Sequence, residues 1–452
     1  MPTHTPDALI IGGGLAGLAT AVELSREGYS TLLIEQKPRL GGRTYSFSHP
    51  ETGDEVDNGQ HVMMGCYHAT LRLLRTINKE HLVEIQENLS IVFRFPHRTP
   101  SLFRTISLPA PLNVLAGLLR LDNLSFRNRL ALLRVGLELI VRDPDIDIHL
   151  QRISVATWLD ELGQPEENKK YLWDIIAIGA LNDSTEKISA ALFVKVLKSA
   201  FFGRRRNSSM VIPKAGLSEV LVNGADDFIR DRKGTILLNT SVDQCEWSET
   251  GITSVLLSNG ESVQPRVVIS AVPYFDLSRV FGDSDVIGVE GLDRFVSSPI
   301  VTIHLWFDAH FVAEQFAALT DSPIHWVFNK SKIYGRENQG LQYLALVVSG
   351  AHDLIEKEKD VIVAMAHSEL KRFYPAASLA TIIHSLVIKE KRATFSPKVG
   401  IEQFRPSHRT KFPGLFLAGD WTDTRLPATI EGAVQSGYAC AAAAAELMKE
   451  KR

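Results

Sequence analysis

The sequence has few cysteines and no excess of charge of either sign. Its three cysteines, Cys66, Cys245 and Cys440, form no C-x-x-C pair, so they indicate neither a disulfide framework nor a zinc site, and we expect a reducing compartment and no metal. With 49 Lys and Arg against 52 Asp and Glu, the net charge of −3 provides no overall field that would attract nucleic acid. A nucleic-acid partner is therefore not expected.

The apolar runs are too short to cross a membrane. The nearest candidate, 106–119, has 14 residues and contains two prolines, whereas a spanning helix needs about 20 apolar residues. At the N-terminus no basic segment precedes the first apolar run, and glycines interrupt that run from Gly12 onward, unlike a secretory signal peptide. We therefore predict a cytoplasmic protein that is able to lie on the inner face of a membrane without spanning it.

The first 36 residues carry a dinucleotide-binding pattern. A short buried strand is predicted at 7–11, the turn 12–17 satisfies G-x-G-x-x-G, and a helix follows from 16 to 26. In this pattern the glycines allow a tight turn, close approach of a pyrophosphate and helix–strand packing, and the phosphates meet the helix N-terminus. A second strand at 31–34 ends at Glu35, where a carboxylate accepts bonds from ribose hydroxyls. The predicted binding residues are Gly12, Gly14, Leu15, Ala16, Gly17, Glu35 and Gln36.

A glycine pair and an arginine, Gly41-Gly42-Arg43, follow the second strand, and the guanidinium has donors for the same pyrophosphate. The segment resembles the G-G-R segment of the FAD-binding amine oxidase and phytoene desaturase superfamily, which nicotinamide-dependent dehydrogenases lack at this place. The resemblance implies FAD, with Gly42 and Arg43 in its site. Because the surroundings of Cys440 do not match the covalent-flavin cysteine motif of monoamine oxidases, we expect noncovalent FAD.

A matching segment lies near the C-terminus. A buried strand is predicted at 414–420 and ends in Gly-Asp, and a helix is predicted from 427 to about 449. An acid directly after a strand can hold a ribityl hydroxyl, and a helix N-terminus can place its positive end on the flavin pyrimidine oxygens. The superfamily closes its FAD domain with the same G-D and E-G-A-x-x-S-G segments, which implies FAD contacts from Gly419, Asp420, Thr429, Ile430 and Ala433.

At 452 residues the chain is about three times as long as a typical domain. Segments in its middle, a helix to about 230 and strands at 235–242 and 266–273, resemble the return of the superfamily chain to the FAD domain, with Val242 at the position whose backbone meets the adenine. We therefore predict an α/β fold in which a Rossmann-like FAD-binding domain (1–75, 205–275 and 405–452) is interleaved with an amine oxidase-like α+β substrate-binding domain (76–204 and 276–404).

Four local segments, 57–67, 180–184, 301–307 and 419–422, narrow the resemblance. They are similar to the squalene-associated FAD-dependent desaturases, which are hydroxysqualene dehydroxylases of hopanoid and squalene synthesis. This resemblance implies a long apolar isoprenoid substrate and, because 57–67 leads past the flavin ring, adds Gly59, Gln60 and His61 to the FAD site. A polyene desaturase, an amine oxidase and a noncatalytic flavin-binding or lipid-binding subunit remain as alternatives.

The stretch from Leu102 to Asp143 is rich in leucine and arginine. Leu130, Leu133, Leu137 and Ile140 recur at helical spacing. The charged residues around them are mostly basic, namely Arg120, Arg127, Arg129, Arg134 and Arg142 against Asp122 and Glu138. A basic amphipathic segment can rest on anionic lipid and admit a substrate that water cannot carry. The same pattern fits a packed helix of the substrate domain with one solvated face. The stretch therefore predicts either a peripheral membrane contact or an ordinary packed helix.

Removal of an allylic hydroxyl needs a hydride at carbon and a proton on the leaving oxygen. Reduced flavin would supply the hydride, and His61 is the first candidate acid because histidine titrates near neutral pH, although a structural role beside the flavin is the alternative. We expect Asp57 to form an Asx turn before Gly59. Weaker candidates for the acid are Asp183, His304 and Asp423.

Only one G-x-G-x-x-G pattern lies between a strand and a helix, so the sequence offers no second site that would hold a nicotinamide permanently. A reductive enzyme of this kind therefore needs an external electron donor, either a separate reductase or a diffusing nicotinamide.

Overall fold

The computed structural model describes residues 3–96, 98–249, 251–282, 287–336 and 340–450, which form two large sheets with helices around them. The strands are β1 (Thr3–His4), β2 (Ala8–Ile11), β3 (Thr31–Ile34), β4 (Ser46–Ser48), β5 (Glu55–Asp57), β6 (Met63–Met64), β7 (Val83–Ile85), β8 (Ser90–Arg94), β9 (Ser101–Arg104), β10 (Met210–Pro213), β11 (Thr235–Leu237), β12 (Val242–Ser248), β13 (Gly251–Leu257), β14 (Ser262–Val263), β15 (Val267–Ser270), β16 (Ser297–Phe307), β17 (Phe316–Leu319), β18 (Trp326–Asn329), β19 (Gln342–Ser349), β20 (Ile382–Phe395) and β21 (Leu415–Leu417). The α-helices are α1 (Leu15–Arg26), α2 (His68–Thr76), α3 (Leu112–Leu119), α4 (Phe126–Val141), α5 (Ile148–Arg152), α6 (Val155–Glu161), α7 (Glu166–Asn168), α8 (Asp174–Leu181), α9 (Ala190–Phe201), α10 (Gly224–Asp231), α11 (Leu277–Phe281), α12 (Lys330–Ile333), α13 (Lys359–Phe373) and α14 (Ile430–Glu450).

A five-stranded parallel sheet in the order β11-β3-β2-β15-β21 brings together strands from both ends and the middle of the chain. The four residues of β2, β3 and β15 are buried throughout, as expected for parallel strands that are covered on both faces. Helices α1 and α14 pack against each other beside this sheet. The predicted α/β fold class is therefore confirmed.

A seven-stranded sheet in the order β20-β16-β19-β18-β17-β8-β9 forms the second layer, and its pairs are antiparallel except for β17 with β8. The helices α3 to α9 follow its first hairpin in sequence. The apolar side chains of these helices, except α7, join one large buried cluster with those of β8 and β18. None of the described helices is both long and apolar enough to cross a membrane.

The predicted strand at 235–242 is wrong in its length. It is divided into β11, which belongs to the parallel sheet, and β12, which pairs with β13 in a separate four-stranded sheet. Between them Asn239 has a φ of +53°, a left-handed conformation that asparagine tolerates better than most residues and that turns the chain out of the extended path. Val242 therefore begins a new sheet. The predicted boundaries of the two domains stay a prediction.

Candidate functional site

A single cavity of about 1500 Å³ extends from the parallel sheet to helices α3, α4, α8 and α9. Its wall has two parts of opposite chemistry. All described lining residues that carry a charge or an imidazole come from 35–68, 276–279, 389–392 and 420–431, and we call this part the polar end. The lining residues from 89–202 and 300–349, which we call the apolar arm, include no Asp, Glu, Lys, Arg or His in the described part of the chain.

The glycine turn forms the wall of the polar end at the N-terminus of α1. Gly12 has a φ of +111°, and a Cβ on Gly17 would lie 2.0 Å from the carbonyl oxygen of Gly12, so both positions require glycine. A Cβ on Gly14 would instead meet nothing within 4 Å, and no side chain caps α1. The free backbone N–H groups of this helix end and the open space over Gly14 fit a pyrophosphate.

Glu35 lies where β3 ends, buried at the cavity wall. Its Oε2 accepts a bond of 2.7 Å from the N–H of Gly13, and its Oε1 accepts one of 2.8 Å from the N–H of Lys37. These bonds hold the carboxylate between the glycine turn and the next loop. The position suits a ribose next to a pyrophosphate on α1.

Arg43 and Asp420 were predicted from opposite ends of the sequence, and they form an ion pair of 2.7 Å in the cavity wall. The other terminal nitrogen of Arg43 donates to the carbonyl oxygen of Ala393 at 2.6 Å. The pair lies beside the glycine turn, because a Cβ on Gly42 would be 3.2 Å from the Cα of Gly14. The guanidinium and the carboxylate thus face the space that a flavin dinucleotide would fill.

The E-G-A-x-x-S-G segment has structural roles that explain its residue types. A Cβ on Gly437 would lie 2.4 Å from the carbonyl oxygen of Ala16, so this glycine lets α14 approach α1 closely. The carboxylate of Glu431 accepts the backbone N–H groups of Ala69 and Thr70, both at 2.9 Å, and so satisfies the N-terminus of α2. The segment therefore fixes the N-terminal end of α14 against the cavity.

Nearly all of the predicted site residues line this one cavity, and Gly17 alone lies behind its wall as a packing residue. The lining members are Gly12, Gly14, Leu15, Ala16, Glu35, Gln36, Gly42, Arg43, Gly59, Gln60, His61, Val242, Gly419, Asp420, Thr429, Ile430 and Ala433. The polar end thus fits the dinucleotide, and these residues would hold it.

The ring of His61 is oriented by its own loop. Its Nδ1 lies 2.6 Å from the carbonyl oxygen of Gly59, which only accepts, so Nδ1 carries a hydrogen and Nε2 is the acceptor of the neutral ring. Burial lowers the pKa of His61 and outweighs the hydrogen bond to Gly59 and the charge of Asp57, which act in the opposite direction. Of the two roles open for His61, this geometry favours positioning over proton donation.

Asp57 does not form the expected Asx turn. Its buried carboxylate accepts bonds of 2.9 Å from the ammonium of Lys330 and the N–H of Leu217, and 2.8 Å from the hydroxyl of Ser46. Burial alone would raise the pKa of Asp57, but Lys330 and these hydrogen bonds hold it below its ordinary value. Lys330 lies 273 residues away in sequence, so local turn chemistry could not reveal the pair.

Lys330 also supports the loop that lines the cavity. Its ammonium donates to Oε1 of Gln60 at 2.8 Å, and the side chain of Lys330 is 1% exposed. The three weaker acid candidates lie elsewhere. His304 is buried behind the loop with its Nδ1 2.8 Å from the hydroxyl of Tyr343, and burial lowers its pKa to about 3. Neither His304, Asp183 nor Asp423 is among the described lining residues.

Two further sets of side chains at the site are not indicated by the sequence. Tyr274 and Ser297, whose hydroxyl oxygens are 2.7 Å apart, both line the cavity. Arg405, with a fully buried guanidinium, donates to the carbonyl oxygens of Asp420, Thr422 and Leu426 and so fixes the loop before α14. A buried arginine between a strand and a loop has no sequence pattern of its own.

Burial favours the protonated form of both thiols near the site. Burial raises the pKa of Cys66, which lines the cavity, to about 12, and the carboxylate of Glu431 adds to the shift. Cys440 is buried in α14 and donates to the carbonyl oxygen of Leu417 at 3.0 Å. Neither side chain is a thiolate ready to bond to a flavin. Among the described residues no cluster of three His, Cys, Asp or Glu side chains could hold a metal ion.

Known proteins match the chain over nearly its whole length. The chain is 26% identical to the 15-cis-phytoene desaturase of Glycine max over 98% of its own length and 80% of that protein. It is also 26% identical to the hydroxysqualene dehydroxylase of Zymomonas mobilis over 96% of its own length and 97% of that protein.

Solved structures share the fold. An oxidoreductase from Methanosarcina mazei matches with a TM-score of 0.74 at 16% identity, covering 96% of this chain and 99% of that one. Cyclohexylamine oxidase from Brevibacterium oxydans matches with a TM-score of 0.73 at 19% identity, covering 99% of this chain and 100% of that one.

The model of the flavin containing amine oxidoreductase family matches residues 15–445, which includes both the start of α1 and the greater part of α14. The family match agrees with a polar end that fits a flavin dinucleotide. The chain belongs to the flavin containing amine oxidoreductase family and is an FAD-dependent oxidoreductase.

Proposed function

We propose that the protein removes the hydroxyl group of hydroxysqualene to give squalene. The observation that carries this proposal is the apolar arm, an extended pocket without a charged lining residue in the described chain that is continuous with the predicted flavin site. Transfer of a long hydrocarbon from water to such a wall is favourable, whereas the ammonium group of an amine would lose its hydration there without gaining a partner. The arm therefore supports an isoprenoid over an amine.

Two of the curated relatives differ in the reaction that their names state. One is named a hydroxysqualene dehydroxylase and the other a phytoene desaturase, and both are 26% identical to this chain. The four local segments that resemble the squalene-associated branch favour the first, and polyene desaturation is the second candidate function.

In the proposed reaction a hydride bonds to the allylic carbon while the hydroxyl group leaves as water with one added proton. FAD in its reduced form supplies the hydride when it is bound. The proton needs a donor on the cavity wall, which Tyr274 and Ser297 line. Tyr274 and Ser297 fit this role because hydroxyl groups can donate, whereas the neutral ring of His61 presents an acceptor.

We also propose that an external donor supplies the electrons. The single glycine turn before α1 is assigned to FAD, so a reductase or a diffusing nicotinamide must bring the reducing equivalents. Under nitrogen, NADPH alone should then bleach the flavin only slowly. Fast and saturable reduction by NADPH would contradict this part of the proposal.

The arm opens next to a surface that suits a membrane. Along α4 the side chains of Phe126, Leu137 and Ile140 are 73%, 62% and 63% exposed, and the latter two also line the cavity. An exposed apolar face at the opening of an apolar cavity favours the peripheral membrane contact over the ordinary packed helix. We propose that the substrate enters from the lipid at this face.

The direct test is an anaerobic incubation of dithionite-reduced protein with hydroxysqualene. The flavin absorbance should return and mass spectrometry should detect squalene. Parallel incubations of oxidised protein with phytoene and with cyclohexylamine separate the alternatives. Bleaching by phytoene without turnover of hydroxysqualene would replace the dehydroxylase with a desaturase, and bleaching by the amine would contradict an apolar substrate altogether.

A further inference from the structure

Helix α4 contains a glycine in its interior that no packing contact explains. Glycine weakens a helix, so an interior glycine usually marks a place where a side chain would collide. Two nearby helices follow that rule: a Cβ would lie 2.9 Å from the carbonyl oxygen of Arg104 at Gly117 and 3.0 Å from the indole nitrogen of Trp326 at Gly179. At Gly136 a Cβ would meet nothing within 4 Å.

The open space at Gly136 is part of the cavity. Gly136 is half-buried and lines the apolar arm, as do Leu133 and Ile140, which lie three positions before it and four after it on the same flank of α4. The flank adjoins the buried stripe of Leu132, Val135 and Leu139 on one side and the exposed Leu137 on the other. Gly136 thus lies where the cavity passes from the core to the surface.

Neighbouring elements complete this opening. Leu115 and Leu118 of α3 line the cavity, as do Phe201 and Phe202 at the end of α9, and both helices pack against α4. We call the opening formed by these residues and the α4 flank the α4 portal. Every side chain named in it is apolar, and Gly136 is its one position without a side chain.

We propose that Gly136 sets the width of the α4 portal and thereby admits a long, methyl-branched hydrocarbon chain to the apolar arm. The proposal rests on the proposed function for the class of substrate. An alanine at 136 leaves most of the opening free, whereas a phenylalanine fills it. Because the portal is passed in both directions, narrowing it slows entry and exit together and leaves the affinity for the bound chain unchanged.

The test compares the Gly136→Phe and Gly136→Ala variants of the FAD-loaded protein. Squalene in mixed micelles serves as the probe, and its association and dissociation are followed by stopped flow through the flavin absorbance. In Gly136→Phe both rates should fall by about tenfold, which corresponds to a barrier raised by about 1.4 kcal/mol, while the Kd is retained. In Gly136→Ala the rates should match the parent and the Tm should rise slightly, because alanine is the better helix former.

FAD content and Tm show whether each variant folds. Equal rates in the parent and in Gly136→Phe, or a raised Kd with an unchanged association rate, would overturn the portal role, as would a parent that does not bind squalene. Rates that depend on the residue at 136 without turnover of hydroxysqualene would uphold the portal and reject the dehydroxylase. Equal association and dissociation rates of squalene in the parent and in Gly136→Phe, together with turnover of hydroxysqualene by the parent, would uphold the dehydroxylase and reject the portal.

Discussion

The buried ion pair between Lys330 and Asp57 gives the sharpest prediction about stability. Their side chains are 1% and 2% exposed, so Lys330→Met would leave a buried carboxylate without its charged partner. Breaking a buried pair in this way costs about 3–5 kcal/mol. With the unfolding entropy usual for a chain of 452 residues, this cost corresponds to a fall in Tm of about 3–5 °C.

The loss of stability in Lys330→Met should depend on pH, and the charges of the pair determine whether it grows or shrinks. In the parent, the pKa of Asp57 is held below its ordinary value of 3.8, so the stability from this group is complete above that value and is lost only as the pH falls through the lower, folded pKa. Without Lys330, burial raises the pKa of Asp57 instead. The deficit of Lys330→Met should therefore shrink as the pH is lowered from 8 to 5, because protonation removes the unpaired charge.

Thermal unfolding of the FAD-loaded variants at both pH values measures this effect. Asp57→Asn combined with Lys330→Met should recover most of the lost Tm, because neither charge is then left alone. Lys170→Met is the matched control, since its ion pair with Asp321 lies at the surface and should contribute little. A fall in Tm below about 1 °C for Lys330→Met, equal at pH 5 and pH 8, would refute the reasoning.

Three further predictions concern the cofactor and the membrane. Glu35→Ala should raise the Kd for FAD about 10- to 150-fold, because a charged acceptor worth roughly 1.5–3 kcal/mol is lost. Glu35→Gln should raise the Kd less. Equal affinity of the parent and Glu35→Ala for FAD in a flavin titration would remove Glu35 from the site. Heat or acid should release all of the FAD, since the Cys66 thiol is held protonated, and flavin retained on the denatured chain would contradict noncovalent binding. The double variant Phe126→Ser/Leu130→Ser should sediment less with anionic liposomes because two apolar side chains no longer enter the lipid, whereas Leu379→Ser, at an exposed apolar position outside α4, should sediment like the parent.

The sequence predicted those parts of the site in which one short segment contains all the residues that the local geometry requires. At 12–17 the turn, the close approach and the helix start are consecutive residues, and β2, β3 and α1 lie within two residues of their predicted limits. The C-terminal segment is of the same kind, because Gly419, Asp420 and the start of α14 are close in sequence. At both places, residues that are neighbours in sequence are also neighbours in space.

The parts that were missed join residues that only the tertiary fold brings together. The Asx turn expected for Asp57 rests on the glycine two residues later, but the charge of Asp57 is balanced by Lys330, the first residue of α12. Arg405 donates to carbonyl oxygens 15 to 21 residues away, which neither periodicity nor spacing indicates. Side chains that position a site from behind its wall are in general hard to predict from sequence, because tertiary packing determines which residues they contact.

Helix α4 illustrates how one helix can carry apolar side chains on more than one face. The leucines chosen by helical spacing, Leu130 and Leu137 among them, are exposed or half-buried, and the stripe that packs into the core is Leu132, Val135 and Leu139. Both stripes are apolar because α4 serves three environments at once: the core, the cavity and the surface. When the apolar arc of a helix is wider than one buried stripe requires, the additional apolar residues therefore indicate a second apolar environment. In α4 these additional residues lie where the cavity opens.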